Sequence, residues 1–220
     1  MKHDVIAMVG LPARGKTFIS KSIVKYLNDR GFECRIFNVG EYRRLSTDYT
    51  AHDFFSSDND YALQMRNKFA IDALEDLCSW LAKGDNHVAI YDATNSTKDR
   101  REIIYETVTC KYNYNLLFIE SICNKPNILE VNIKKKANSP DYSKFENKEL
   151  AIADFKRRIT HYESRYKPLG YHQEENKYSF IQIVNAGEDW HFHYCRSKIQ
   201  QLLVHFLLDL YAVPPTCIKS

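Results

Sequence analysis

The sequence predicts an α/β protein in which a mainly parallel sheet lies between two layers of helices. Five short apolar segments alternate along the chain with longer amphipathic segments. Strands that alternate with helices need crossover connections, and these connections favour parallel pairing. In such a sheet the ligand binds at the carboxyl ends of the strands, so the residues that follow each apolar segment form the candidate site.

The first apolar segment, residues 5–9, leads directly into the spacing G-x-x-x-x-G-K-T. The two glycines let successive backbone N–H groups turn towards a phosphate, and the helix that follows adds its positive end. Lys16 offers a positive charge to the outer phosphates, and Thr17 offers a hydroxyl to Mg²⁺. We therefore expect a three-layer sandwich of the P-loop NTPase type that binds a nucleoside triphosphate. The predicted nucleotide-binding residues of the loop are Gly10, Leu11, Pro12, Ala13, Arg14, Gly15, Lys16 and Thr17.

The elements of the first half follow from periodicity and from turn residues. Apolar positions between residues 19 and 27 recur at helical spacing, and Gly31 marks the end of that helix. Residues 34–39 read as the second strand. The polar stretch 45–60 predicts a long loop with short helical pieces, and a loop of that length is usually functional. Residues 61–83 carry apolar side chains every three or four positions, which predicts a long helix.

The second half continues the same alternation of strand and helix. Short apolar segments predict strands over residues 88–92, 116–120 and 178–184. Helical periodicity predicts helices over residues 98–111, 127–136, 149–166 and 194–210. This completes the five predicted strands and leaves one domain as the simplest organisation.

The composition excludes several classes of protein. Hydrophobic residues make up 44% of the chain and charged residues 27%, which is typical of a globular protein with a real core. The net charge of +3 gives no indication of a nucleic-acid or membrane partner. The amino terminus lacks the pattern of a signal peptide, and we expect a cytoplasmic protein. The six cysteines form no C-x-x-C pair, so neither zinc nor disulfide bonds are expected.

Asp92 ends the strand predicted at residues 88–92. An acid at this place approaches Mg²⁺ in many phosphate-transferring proteins. In a kinase that acts on a hydroxyl group it can instead accept the proton of the attacking oxygen. The sequence leaves both roles open. Thr94 and Asn95 add hydrogen-bonding groups beside it.

Arginines form the second group of candidate site residues. Arg100 and Arg101 fall in the first turn of a predicted helix, where positive charge opposes the helix dipole. An anionic ligand resolves that conflict, because guanidinium groups bind phosphate oxygens in bidentate fashion. The residues alone therefore indicate a phosphotransferase with an anionic acceptor. The other arginines of the set are Arg43, Arg44, Arg66, Arg157 and Arg158.

Six short motifs in register resemble the kinase domain of the 6-phosphofructo-2-kinase/fructose-2,6-bisphosphatase family. They are G-L-P-A-R-G-K-T at 10–17, F-N-V-G-E-Y-R-R at 37–44, D-A-T-N at 92–95, F-I-E-S-I-C at 118–123, S-P-D-Y at 139–142 and Y-K-P-L at 166–169. The resemblance implies transfer of the γ-phosphoryl group of ATP, with Mg²⁺, to the 2-hydroxyl of fructose 6-phosphate. It also implies a kinase domain over residues 1–212 and a short tail over residues 213–220.

The resemblance assigns roles to individual residues. It implies that Lys16, Asp92, Lys136 and Cys123 are catalytic, that Thr17 and Asp92 hold the metal, and that Asn132 lies near the adenine. Counting back from Ser139 gives Lys136 as the lysine between the substrates, whereas counting forward from Asn132 gives Ala137. The implied sugar-phosphate ligands are Arg43, Arg66, Thr94, Arg100, Arg158 and Tyr162.

Bifunctional members of that family continue into a phosphatase domain that begins with Arg-His-Gly. This sequence contains no such motif, so no bisphosphatase activity is expected. Two alternatives stay open: another P-loop kinase for a small molecule or a polynucleotide end, and an inactive nucleotide-binding regulator. A homodimer is one arrangement that the sequence leaves open.

Overall fold

The computed structural model describes residues 2–46, 52–56, 58–143 and 145–212. It contains one six-stranded sheet with the strand order β2-β3-β1-β4-β5-β6. The first five strands are parallel, and β6 joins β5 in the antiparallel sense. The predicted α/β fold with a mainly parallel sheet is therefore confirmed. The strands are β1 (Asp4–Val9), β2 (Glu33–Asn38), β3 (His87–Asp92), β4 (Asn115–Ile122), β5 (Ser179–Val184) and β6 (Asp189–His193).

Seven α-helices accompany the sheet in the described part of the chain. They are α1 (Lys16–Asn28), α2 (Val39–Ser46), α3 (Asp60–Leu81), α4 (Lys98–Tyr105), α5 (Pro126–Lys136), α6 (Lys148–Glu163) and α7 (Lys198–Ala212). A π-helical turn at Glu106–Lys111 extends α4. Short 3-10 helices lie at His52–Phe55, Pro140–Tyr142 and Gln173–Lys177.

The strand β1 is buried on both faces because its side chains alternate between two cores. Ile6 and Met8 pack with apolar residues of α1 and α7. Val5, Ala7 and Val9 point to the other face, where α3 and α4 supply the apolar partners. Two layers of helices thus enclose the central strands, as a parallel sheet requires.

A third apolar cluster lies beside the P-loop, at the carboxyl edge of the sheet. It joins Ile133 on α5 to Phe155 and Ile159 on α6, and it includes Ala13 of the loop itself. The predicted helices at 127–136 and 149–166 are therefore present as α5 and α6. Their packing against Ala13 positions both helices next to the phosphate-binding loop.

Two predictions near the carboxyl end are wrong. The helix expected from residue 194 begins at Lys198, and the strand β6 precedes it. Ser197 accepts a hydrogen bond from Gln200 N at 3.1 Å, so this serine caps the start of the helix. β6 is an edge strand with exposed side chains, and it lacks the apolar run by which the other strands were found.

Residues 40–44 form part of α2 and are not simply an extension of the strand end. Arg43 is the only buried residue of this helix, so apolar periodicity gives no signal there. The 3-10 helix at His52–Phe55 confirms a short helical piece in the predicted loop 45–60. Residues 47–51 and 57 of that loop, and the tail at 213–220, lie outside the described residues.

Within the described ranges, no helix has the length and apolar character needed to cross a bilayer.

Candidate active site

The P-loop adopts a conformation that requires glycine at its first position. Gly10 has a φ of 132°, and its N–H donates to the carbonyl oxygen of Thr94 at 2.9 Å. A Cβ atom on Gly10 would lie 2.5 Å from the backbone oxygen of Ser121 on β4. At the other end, Gly15 has a φ of 83° and α1 begins at the next residue. The loop is therefore held between β3 and β4 at the carboxyl edge.

Gly10→Ala is expected to lower the free energy of unfolding by about 2–3 kcal/mol, because it adds backbone strain and a clash. Gly31→Ala is the matched control. Gly31 also has positive φ, at 82°, but a Cβ there meets no atom within 4 Å. The control should cost only about 1 kcal/mol in chemical denaturation. Equal losses in the two variants would show that the contact with Ser121 is unimportant.

Lys16 and Thr17 face the end of β3. Lys16 is buried, and its Nζ donates to the carbonyl oxygen of Leu11 at 2.6 Å. Burial lowers the pKa of Lys16 to about 7, against the opposing attraction of Asp92. Thr17 Oγ1 donates to Asp92 Oδ2 at 3.3 Å. The hydroxyl and the acid that the sequence predicted as metal ligands are therefore adjacent.

Asn38 is a site residue that the sequence prediction missed. Its Nδ2 donates to Asp92 Oδ2 at 2.9 Å, and its Oδ1 accepts from Gly40 N at 2.9 Å. The last residue of β2 thus orients the carboxylate at the end of β3. Asn38 is the second residue of the F-N-V-G-E-Y-R-R motif, and a polar side chain at the end of a predicted strand is the sequence signal that could have identified it.

Residues of β4 and α5 brace the loop from the other side. Arg14 donates to the carbonyl oxygen of Cys123 at 3.2 Å and to Glu163 at 3.3 Å. Asn132 Nδ2 donates to the carbonyl oxygen of Ala13 at 3.0 Å. Asn132 and Cys123 therefore both contact the P-loop, while their predicted roles, near the adenine for Asn132 and in catalysis for Cys123, stay predictions.

Lys136 and Ala137, the two positions that the sequence left open for the lysine between the substrates, differ in their surroundings. Ala137 is buried in the apolar cluster formed by α5 and α6. Burial lowers the pKa of Lys136, while Asp92 opposes that shift and Arg158 adds to it. Lys136 is the last residue of α5, the helix whose Asn132 contacts the P-loop.

Three arginines converge on one buried carboxylate, that of Asp141. Arg43 lies 2.6 Å from Asp141 Oδ2, Arg158 lies 3.0 Å from the same oxygen, and Arg44 lies 3.1 Å from Oδ1. Burial alone would raise the pKa of Asp141, but Arg158 and Arg43 outweigh it and hold that pKa far below its usual value. The cluster carries excess positive charge and suits a phosphate group.

Asp141→Asn is expected to lower the free energy of unfolding by about 3 kcal/mol, because it leaves buried guanidinium groups without their counter-charge. Since the folded-state pKa of Asp141 is depressed, its contribution is complete above the unfolded pKa of about 4 and falls away below it. The difference between wild type and variant should therefore shrink as the pH is lowered through that value. Denaturation of both proteins across that pH range measures it. A difference that stays constant would contradict the ionic role.

The other predicted sugar-phosphate ligands differ in their surroundings. Arg66 on α3 donates to the carbonyl oxygens of Phe54 and Ser56. The ring of Tyr162 packs against Phe55, with 5.9 Å between the ring centroids, and Phe55 also lies below the guanidinium group of Arg158. Thr94 contacts the P-loop through its carbonyl oxygen. Arg100 is more peripheral, and its Nη2 donates to Asn67 on α3.

Arg101 does not belong to the anion site, and that expectation was wrong. Its Nε donates to Glu175 Oε1 at 2.7 Å, and both side chains are fully buried. Its Nη1 donates to the carbonyl oxygens of Asn95 and Lys167 at 3.1 and 2.9 Å. An internal carboxylate, and not a ligand, offsets its charge at the start of α4.

A cavity of about 760 Å³ lies at the opposite edge of the sheet. Residues at the amino ends of four strands line it: Asp4, His87, Asn115 and Ser179. The P-loop, Asp92 and the arginines lie at the carboxyl edge, so this cavity is not part of the candidate site.

The parallel sheet, the loop at the end of β1 and the acid at the end of β3 define a protein of the P-loop kinase fold. The sequence model of 6-phosphofructo-2-kinase matches residues 1–214. The chain therefore belongs to the 6-phosphofructo-2-kinase family.

Curated relatives agree with the family match. The chain is 44% identical over 220 residues to 6-phosphofructo-2-kinase/fructose-2,6-bisphosphatase of Caenorhabditis elegans, covering 96% of this chain and 47% of that protein. It is 39% identical over 211 residues to 6-phosphofructo-2-kinase/fructose-2,6-bisphosphatase 1 of Homo sapiens, covering 96% and 44%. The chain thus spans about half the length of these relatives.

Solved structures with low sequence identity share the fold. A fungal RNA kinase matches with a TM-score of 0.56 at 11% identity, covering all of this chain and 90% of that one. The Mycobacterium tuberculosis APS kinase matches with a TM-score of 0.53 at 11% identity, covering 94% and 98%. These likenesses show the fold alone.

Proposed function

We propose that this chain catalyses transfer of the γ-phosphoryl group of ATP to the 2-hydroxyl of fructose 6-phosphate. The observation that carries the proposal is that the P-loop side and the arginine cluster around Asp141 lie at the same edge of the sheet. Asn38, the last residue of β2, donates to Asp92, and α2, which begins at the next residue, carries Arg43. A phosphoryl donor and an anionic acceptor bound on the two sides would meet there. Membership of the 6-phosphofructo-2-kinase family supports this choice of acceptor.

The donor side has the groups that ATP and Mg²⁺ need. The backbone of the P-loop and Lys16 would hold the phosphates, and Asn132 would lie near the adenine. Thr17 Oγ1 and Asp92 Oδ2 are 3.3 Å apart and are the oxygen donors that Mg²⁺ prefers. When bound, the cation would neutralise charge on the phosphate oxygens. The donor set therefore fits Mg·ATP.

The acceptor side is positively charged and ordered. Arg43 and Arg158 would take the 6-phosphate, since their guanidinium groups already converge on one carboxylate. Arg66, Arg100, Thr94 and Tyr162 would complete the sugar-phosphate pocket.

Catalysis would depend mainly on positioning and on charge. Lys16 and Lys136 would stabilise the negative charge of the transferred group, which is spread over its oxygens. Asp92, oriented by Asn38, would accept the proton of the 2-hydroxyl or act through Mg²⁺. Cys123 would shape the wall beside the P-loop, where its carbonyl oxygen receives Arg14.

A panel of acceptors tests the proposal with the wild-type chain. Fructose 6-phosphate should stimulate release of ADP from Mg·ATP. Its analogue 2,5-anhydromannitol 6-phosphate keeps the ring and the phosphate but lacks the 2-hydroxyl, so it should inhibit competitively without turnover. Stimulation by a 5′-hydroxyl oligonucleotide instead of fructose 6-phosphate would show that the chain is a polynucleotide kinase and would overturn the proposal.

The cytoplasmic location and the homodimer that the sequence left open stay predictions.

A further inference from the structure

A pair of histidines beside the sugar-phosphate pocket has no part in the site described above. His52 opens the 3-10 helix at His52–Phe55, and its Nδ1 lies 3.3 Å from Nε2 of His161 on α6. The two rings are nearly parallel, at 19°. On the other side, Nε2 of His52 lies 3.4 Å from Nη1 of Arg157. Both histidines are partly buried.

Arg157 determines where the protons of the pair lie. A guanidinium group can only donate hydrogen bonds, so His52 Nε2 must accept and carries no proton. A neutral His52 then has its proton on Nδ1, which donates to His161 Nε2. His161 in turn keeps its own proton on Nδ1. The chain of contacts from Arg157 through His52 to His161 is therefore complete only when both imidazoles are neutral.

Charged side chains from the 3-10 helix at His52–Phe55 and from α6 face the two histidines. Asp53 Oδ1 lies 3.1 Å from His52 Nδ1, but its side chain is 80% exposed and it competes weakly for that proton. Asp154 on α6 accepts from the backbone N–H of His52 at 3.1 Å. Arg157 opposes a proton on His52 Nε2. A proton on His161 Nε2 would face the Nδ1–H of His52, so uptake of either proton breaks one contact.

The 3-10 helix that the pair anchors supports the proposed sugar-phosphate ligands. The carbonyl oxygens of Phe54 and Ser56 accept from Arg66. The ring of Phe55 lies 3.8 Å below the guanidinium carbon of Arg158. Arg165, just beyond α6, donates to the carbonyl oxygen of Phe55 at 3.1 Å. The position of this helix against α6 therefore sets where Arg66 and Arg158 point.

We propose that His52 and His161 are positioning residues for the sugar-phosphate pocket, and that protonation of the pair weakens binding of fructose 6-phosphate. The inference rests on the proposed function for the identity of that ligand. The KM for fructose 6-phosphate should therefore rise on acidification more than the KM for ATP does.

His161→Gln tests the inference because the glutamine oxygen can accept where Nε2 accepts, yet it does not titrate. At about pH 8 the variant should keep the wild-type KM for fructose 6-phosphate within about twofold, since the neutral contact is retained. At about pH 6 the wild-type KM should exceed that of the variant by about fivefold, the lower end of typical coupling between sites. Titration of the substrate phosphate affects both proteins equally. Equal increases in wild type and variant would overturn the proposal.

His205→Gln on α7 is the matched control. His205 is exposed and lies on the helix that packs against the other face of the sheet, so this variant should follow the wild-type pH profile. A flattened profile in the control would show that the effect is not specific to the pair.

Hydrogen exchange separates failure of this inference from failure of the proposed function. Without substrate, wild-type amides in residues 52–56 should lose protection on acidification, after correction for intrinsic rates, and those of His161→Gln should not. This result without turnover of fructose 6-phosphate would reject the proposed function and the assignment of the ligand, but keep the anchoring role of the pair. Protection that is independent of pH in the wild type would reject that role whatever the substrate is.

Discussion

Replacing Lys16 with methionine is expected to lower kcat by about 10²–10³-fold while the protein still folds. Lys16 is the buried cation of the P-loop, and its charge would stabilise the transferred phosphoryl group. Methionine has a similar unbranched shape, so it fills the same space without the charge. Because burial already lowers the pKa of Lys16, loss of the ammonium group also removes a desolvation cost. Thermal unfolding should therefore change little while turnover falls.

Lys21→Met is the matched control for this experiment. Lys21 lies on the same helix, α1, but its side chain is exposed. The control should keep kcat within about twofold of the wild type, as is usual for a change away from the site. A loss below about tenfold for Lys16→Met would contradict the role of Lys16, since one preorganised charge is worth more than that.

Asp92→Asn is expected to lower kcat by about 10²–10⁴-fold, the range typical of a general base. Among the described residues, the hydrogen bonds that Asp92 accepts from Thr17 and Asn38 both end at Oδ2. These two contacts hold the carboxylate in place at the end of β3. Asparagine keeps the shape and one acceptor but removes the charge, so folding should be preserved.

Mg²⁺ titration of Asp92→Asn separates the two roles that the sequence left open. If the carboxylate acts through the cation, excess Mg²⁺ should restore part of the rate. If it accepts the proton, the loss should persist at every Mg²⁺ concentration. Asp99→Asn, at an exposed position of α4, is the control and should behave as the wild type. Wild-type turnover by Asp92→Asn would remove this residue from the chemistry.

The sequence was sufficient for β1, β3 and β4 because these central strands carry apolar runs. Each of these runs is buried along nearly its whole length, so composition alone identifies it. β6 has one partner and exposed side chains, and the same criterion fails for it. The start of α7 depends on the capping contact between Ser197 and Gln200, a local detail that apolar periodicity does not contain.

The candidate site likewise has parts that the sequence predicts and parts that only the fold reveals. The P-loop is contiguous in sequence, and its spacing alone indicates its chemistry. The cluster around Asp141 joins arginines that are up to 98 residues away in the chain, so its geometry required the fold. Arg101 looked like an anion ligand because its buried partner, Glu175, is 74 residues away. The sequence did not indicate Asn38 either, because its contact with Asp92 joins two strands that are far apart in the chain.

The position of the new phosphate on the product is the most direct test of the whole account. The purified chain would be incubated with Mg·ATP and carbon-13-labelled fructose 6-phosphate, and the product examined by phosphorus and carbon NMR. The account predicts a second phosphate on carbon 2, seen as phosphorus coupling to that carbon. A phosphate on any other carbon, or no product although Mg·ATP binds, would contradict it.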